Sequence, residues 1–355
     1  VKYVILTTMF IAFLFNKKNN IELQTLFIYI VLVFILFCSF FHFVMSDNFY
    51  FESFILLQSI VLSILIFFVL TSSFKNNVIK YEVLSKYVII GILLYSIFKF
   101  SLSIAIFFGV LSVDSLQYIS PDFTSLGYIG VTGFNRIVGV NDFLLPFLYF
   151  FIKDSSIKHK KIVASIFIFS IFISFTRSIW FSFFFFFFLE QVFIRKKPYI
   201  LFLLVIILVV IIYYFSFFTT IDLLGSIQSR LFNEGALSSS VKIEQAGLML
   251  EQISKAPFFG GGLGSYIPDY IRNDRLKYGY EVMLLALVMQ NGLFFTFLIL
   301  IILGAALYKA YIINGDGFSL FSLTLFVSAG FTNPIIISSV SVYLYALYAI
   351  KFMSK

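Results

Sequence analysis

Charge is the scarcest property of this chain of 355 residues. Only 12% of them are Asp, Glu, Lys or Arg, where a soluble domain carries about 25%. Cysteine is nearly absent, and Cys38 alone excludes both a disulfide framework within the chain and a Cys-based zinc site. The two histidines, His42 and His159, lie far apart and match no metal-ligand spacing, so no metal is expected. What is abundant is apolar: 61% of residues are hydrophobic and the mean hydropathy is +1.03. That composition excludes a water-soluble enzyme, a disordered chain and a nucleic-acid-binding domain. The net charge of +8 therefore does not advertise a nucleic-acid partner, and its placement becomes the question.

A bilayer core of about 30 Å needs about 20 apolar residues in a helix. The apolar runs are continuous rather than alternating, so helices are expected, not a barrel. Eleven spans are predicted, at 1–15, 22–45, 52–74, 84–111, 137–152, 162–175, 179–194, 198–218, 281–309, 318–331 and 334–352. The connections then sort by charge. One set holds 15 basic and five acidic residues, a net of +10; the other holds nine basic and twelve acidic, a net of −3. The basic set is assigned to the cytoplasm. Residue 1 then falls outside and is Val, not Met, so a missing first helix or an alternative start codon is expected. No internal repeat is apparent, which argues against an inverted-repeat transporter.

One connection is long. Residues 219–280 form the single extramembrane segment large enough to cover a site. Within it, 241–253 set Ala246, Met249, Leu250 and Ile253 at helical spacing, with Ser240 as N-cap, predicting a short amphipathic helix on the membrane surface. Residues 257–264 (PFFGGGLG) follow no strand and lack Gly-Lys-Ser/Thr, so they are neither a dinucleotide loop nor a P-loop. They read as a tight turn letting the loop approach the membrane domain closely.

The outer charges are few enough to weigh singly. Arg136, Arg177, Arg230, Arg272 and Arg275 lie on the side where positive charge is disfavoured. Their planar forks suit phosphate, while the plainer reading for each is a lipid headgroup or a neighbouring carboxylate. Glu281 opens the span after the long loop, where a carboxylate suits the helix dipole or serves as a general base. Gln290-Asn291-Gly292 interrupts that span further on. Lys99, inside span 84–111, is an intramembrane charge and hence a candidate site residue. Glu190 and Arg195 are expected to pair, the Phe183–Phe188 run to face lipid, and Asn333-Pro334 to mark an outer turn.

Five stretches occur in a familiar order: Arg136–Asp142 (RIVGVND), Phe175–Trp180 (FTRSIW), Ser229-Arg230, Ala256–Tyr266 (APFFGGGLGSY) and Tyr280–Leu293 (YEVMLLALVMQNGL). Together they resemble the O-antigen polymerase and ligase superfamily of bacterial inner-membrane glycosyltransferases, over roughly residues 130–310. The resemblance implies an all-α polytopic fold of GT-C type, a single transmembrane domain with a periplasmic loop at 219–280, and no cofactor. Ligases of the superfamily usually carry His where this chain has Glu281, and Lys242 stands where an Arg is common. The Glu favours a chain polymerase acting on undecaprenyl-pyrophosphate-linked oligosaccharide, metal-independently, at the periplasmic face. Glu281, Arg177 and Arg230 are the implied catalytic residues. Arg136, Lys242, Arg272 and Arg275 are expected to bind substrate, as is Lys99. Membrane lipids and a chain-length regulator are the further expected partners. The alternatives are an O-antigen ligase and a polysaccharide flippase or other transporter.

Overall fold

The computed structural model describes residues 23–45, 51–113, 115–116, 123–128, 135–174, 176–197, 199, 206, 234–271, 277, 280–314, 317–331 and 340–354. Helices α1 (Leu23–Met45), α2 (Phe51–Lys75) and α3 (Tyr81–Phe107) come first, followed by strands β1 (Phe123–Tyr128) and β2 (Asn135–Gly139). A 3-10 turn, Val140–Leu144, leads into α4 (Leu145–Phe151), then α5 (Lys160–Ile173) and α6 (Arg177–Leu189) with a π turn at Glu190–Ile194. The chain continues through α7 (Glu234–Lys255), α8 (Met283–Asn314), α9 (Gly317–Phe331) and α10 (Ser341–Met353). The fold is mostly helical, as expected. The expected spans 1–15 and 198–218 lie outside the described residues, apart from Tyr199 and Ile206, as does the Asn333-Pro334 turn.

Two helical segments among the described residues are long and apolar enough to cross a membrane, Leu56–Lys75 and Tyr81–Phe107. Val33–His42, Met283–Leu298, Gly317–Ala329 and Ser341–Met353 are shorter apolar helices. In α3 the burial pattern is inverted relative to a soluble helix. Ser85, Ile89, Ile92, Ser96, Lys99, Ser103 and Ile106 are buried, recurring every three or four residues, while Tyr87, Leu94, Phe98 and Phe107 face out. Small and polar groups inside with aromatics outside is the distribution that apolar surroundings favour.

The residues group into two compact units, Val1–Leu84 with Ser240–Lys355, and Ser85–Ser239. In the first, α2 packs on α1 and α10, and α8 packs on α1, α9 and α10. Leu36 and Phe40 of α1, Leu57 and Ile60 of α2, and Leu263 of the glycine-rich loop make one of its cores. In the second, α4, α5 and α6 pack on one another, with the Phe147 ring edge-on to Phe186 at 5.2 Å. The Trp180 indole donates to the Ile171 carbonyl at 2.9 Å, closing the turn between α5 and α6.

Several expectations are corrected. Residues 137–152 are not one span. They comprise the end of a strand, a 3-10 turn and a seven-residue helix, because Pro146 fits only the first turn of a helix and Asp142 captures the Gly139 N–H. The connection 112–135 contributes a strand to a short antiparallel hairpin within the mostly helical fold, pairing Phe123 with Gly139 and Ser125 with Ile137. The Phe183–Phe188 run is not uniformly outward: Phe183, Phe186 and Phe187 are buried, while Phe184 and Phe188 are exposed. Glu190 and Arg195 pair as expected, at 2.8 Å.

Candidate functional site

Among the described residues of the long connection, α7 spans 22 residues rather than the 13 of 241–253. Ser240 lies inside that helix and is not its N-cap. Met249 is buried, with Ala246 and Ile253 half-buried on the same face, but Leu250 points outward; Gln245 takes the remaining buried position. Met249 packs with Ile267, Tyr280, Ala286 and Met289, joining α7 to the start of α8.

That packing brings two sequence-predicted residues together. The Lys242 ammonium lies 3.7 Å from the Glu281 carboxylate, each side chain about 30% exposed. One turn along α7, the Gln245 amide oxygen accepts the backbone N–H groups of Glu281 at 2.9 Å and Val282 at 3.1 Å. Both N–H groups precede Met283, the first residue of α8, where the helix ladder gives them no partner. Beside them Tyr280 is almost fully buried, and its hydroxyl oxygen accepts the Ile267 N–H at 2.6 Å. Burial pushes the Tyr280 phenol above its ordinary range, partly opposed by that N–H. Lys277 sits 5.5 Å from the Tyr266 ring centroid, within reach of a cation–π attraction.

The glycine-rich loop seats on a break in α8. Gly292 has φ +73° and ψ 169°, which no helix continues. The carbonyls freed there accept loop N–H groups: Met289 from Gly261 and Gln290 from Gly262, both at 2.8 Å. In return the Leu293 N–H donates to the Pro257 carbonyl at 2.8 Å and Phe294 to Phe258 at 3.2 Å. The close approach expected of this turn is there. A Cβ on Gly260 would stand 2.5 Å from the Gly292 nitrogen, and one on Gly264 2.3 Å from the Ser53 hydroxyl. From α1, Ser39 donates to Asn291 at 2.8 Å, and His42 Nε2 is 3.2 Å from the Gly260 carbonyl.

In the second unit, Lys99 has a partner of its own. Its ammonium is 2.7 Å from Asp142, both side chains essentially fully buried, and it also donates to the Ser170 carbonyl at 3.3 Å. The other Asp142 oxygen accepts the Gly139 N–H at 3.0 Å. Lys99, expected to bind substrate, is thereby paired within the protein and ties α3 to the 3-10 turn and α5. Asp142 was passed over as a partner. The available signal was physical: a lone intramembrane ammonium requires a carboxylate, and Asp142 stands in an apolar run. Gln245 was missed as well, and nothing local in the sequence marks it.

Arg177 is the first residue of α6 and is half-buried; its side chain makes no hydrogen bond or ion pair to the described residues. Arg136 lies on β2, its side chain outside the described residues, and Arg230, Arg272 and Arg275 fall outside them altogether. Glu281 and Lys242 belong to the first unit, Arg136 and Arg177 to the second. The chain matches no protein-family model, no curated protein and no solved structure.

Proposed function

We propose that the protein is an O-antigen polymerase of the bacterial inner membrane, joining undecaprenyl-pyrophosphate-linked repeat units at the periplasmic face. The observation that carries this reading is the pairing of Glu281 with Lys242 at the head of α8. A carboxylate and an ammonium side by side and partly open to solvent suit a glycosyl transfer from a pyrophosphate carrier. Glu281 accepts the proton of the attacking sugar hydroxyl, and Lys242 offers positive charge to the anionic donor. Lys242 acts there as a point charge without the bidentate fork of Arg. Arg136, Arg177 and Arg230 take the pyrophosphate-binding roles that the resemblance gives them, and the leaving carrier departs with its charge compensated. The exposed apolar side chains of α3 suit a protein bathed in lipid.

A transporter would share one feature, the break in α8. In this chain, however, the carbonyls freed at the break are taken by Gly261 and Gly262, so they do not form an open ion site. The test is gene deletion complemented with wild type, Glu281→Gln and Arg177→Ala, read as the ladder of glycan on the lipid A core. The polymerase reading expects single repeats on the core in the deletion strain and in the Glu281→Gln strain. Loss of all attached glycan, with polymer accumulating on the carrier, would instead identify a ligase. Full ladders from both variants would overturn the site.

A further inference from the structure

The residue nearest to Glu281 that none of the motifs contains is Gln245. It is fully buried on α7, and its amide oxygen takes both backbone N–H groups at the opening of α8. Its amide nitrogen, also buried, has no partner among the described residues. An unmade buried donor is costly. A Glu at this position would supply the same acceptor without the orphaned N–H, and a Leu or Met would avoid both groups. The chain instead carries the side chain that gives a neutral acceptor and tolerates the cost. Lys242 precedes it by three residues, so α7 grips Glu281 twice, once through the carboxylate and once through the backbone.

We propose that Gln245 is a positioning residue for Glu281: its neutral carbonyl fixes the backbone at the head of α8 so that the carboxylate stays beside Lys242, without adding a second negative charge there. This rests on the reading of Glu281 as the proton acceptor. The titratable side chains on α7 are Glu234, Lys242, Glu244, Glu251 and Lys255, of which Lys242 meets Glu281 and Lys255 pairs with Glu251. The loop packed beside them carries Tyr266, Asp269, Tyr270, Lys277 and Tyr280, with Lys277 over the Tyr266 ring.

The test uses the full chain in the deletion strain, with Gln245→Leu, Gln245→Glu and Glu281→Gln measured at several external pH values. Glycan ladders are normalised to the protein present in the membrane. Gln245→Leu is expected to lose long chains by about tenfold or more, since the acceptor is gone. Gln245→Glu is expected to keep polymerising, but with the acid limb of its pH profile moved up by about one unit, because a second carboxylate disfavours ionisation of Glu281. A role in folding alone would instead lower the amount of Gln245→Leu protein in the membrane and leave the ladder per protein unchanged. If Gln245→Leu fails to accumulate, the pH profile of Gln245→Glu decides by itself. A wild-type ladder from Gln245→Leu, or a Gln245→Glu profile identical to wild type, would overturn the proposal. If Glu281→Gln is inactive in that case, the reading of Glu281 survives. An active Glu281→Gln removes both.

Discussion

Lys99 and Tyr280 show how single polar groups are accommodated in a chain this apolar. With Asp142 at 2.7 Å and the Ser170 carbonyl at 3.3 Å, Lys99 is satisfied only while its partner is charged and present. Removing one member of a buried pair strands the other, at a cost of about 3–5 kcal/mol, whereas replacing both with apolar residues is often neutral. Lys99→Met and Asp142→Asn should each lower the unfolding temperature of the detergent-solubilised protein sharply, and Lys99→Met with Asp142→Leu should recover most of the loss. Tyr280 poses a smaller version of the same problem. Tyr280→Phe leaves the Ile267 N–H without its acceptor and should cost about 1–3 kcal/mol in the same measurement. Because burial raises the Tyr280 phenol, the native state holds that proton more tightly than the unfolded chain does. The associated stability is complete below the ordinary phenol range near pH 10 and is lost as the pH rises through the folded value. Comparing alkaline unfolding of wild type and Tyr280→Phe isolates it; equal pH dependence would count against it.

Among the elements, α8 departs furthest from regular structure, and its break is held by close backbone contact. A Cβ on Gly292 would sit 2.1 Å from the Phe258 carbonyl oxygen at a positive φ, so Gly292→Ala should prevent accumulation of folded protein. Gly91 in α3 and Gly247 in α7 meet nothing within 4 Å, and alanine there should be neutral or stabilising by up to about 1 kcal/mol. Immunoblots and melting curves of the three variants separate close approach from glycine content alone. This part was legible in the sequence: PFFGGGLG read as a close-packed turn, and Gln290-Asn291-Gly292 as an interruption. The hairpin was not. The segment 112–135 is polar and irregular in pattern, and FTSLGY and NRIVG lack the apolar–polar alternation that marks strands in a sequence. Span 137–152 failed for a related reason. Hydropathy counts apolar residues and ignores both Pro146 and a buried carboxylate.

For the molecule as a whole, the legible part was its apolar, mostly helical character, which needs only composition and order. Its long-range ion pairs were not legible, in contrast to the local pair of Glu190 with Arg195. Lys242 and Glu281 were separate candidates until α7 folded against α8, 39 residues apart in the chain. The assigned orientation has a direct check, since Cys38 is the sole cysteine. In a Cys38→Ser background, a cysteine at exposed Ser254 in the long loop should react with an impermeant maleimide in spheroplasts. One at exposed Ser156, in the basic connection after α4, should react only after permeabilisation. The reverse pattern would invert the topology.

The hydrogen bond from Ser39 to Asn291 joins residues 252 positions apart, and the helices around it come from the two ends of the chain. At roughly 5–20 residues per second of synthesis, α1 waits on the order of 13–50 s before its partner exists. Throughout that interval α1 and α2 have each other but neither α8 nor α10. Their exposed small and polar groups must be shielded by lipid, by the insertion machinery or by a chaperone. Substitutions such as Ser39→Ala would therefore be felt first as the yield of inserted protein, before any effect on what the assembled protein does.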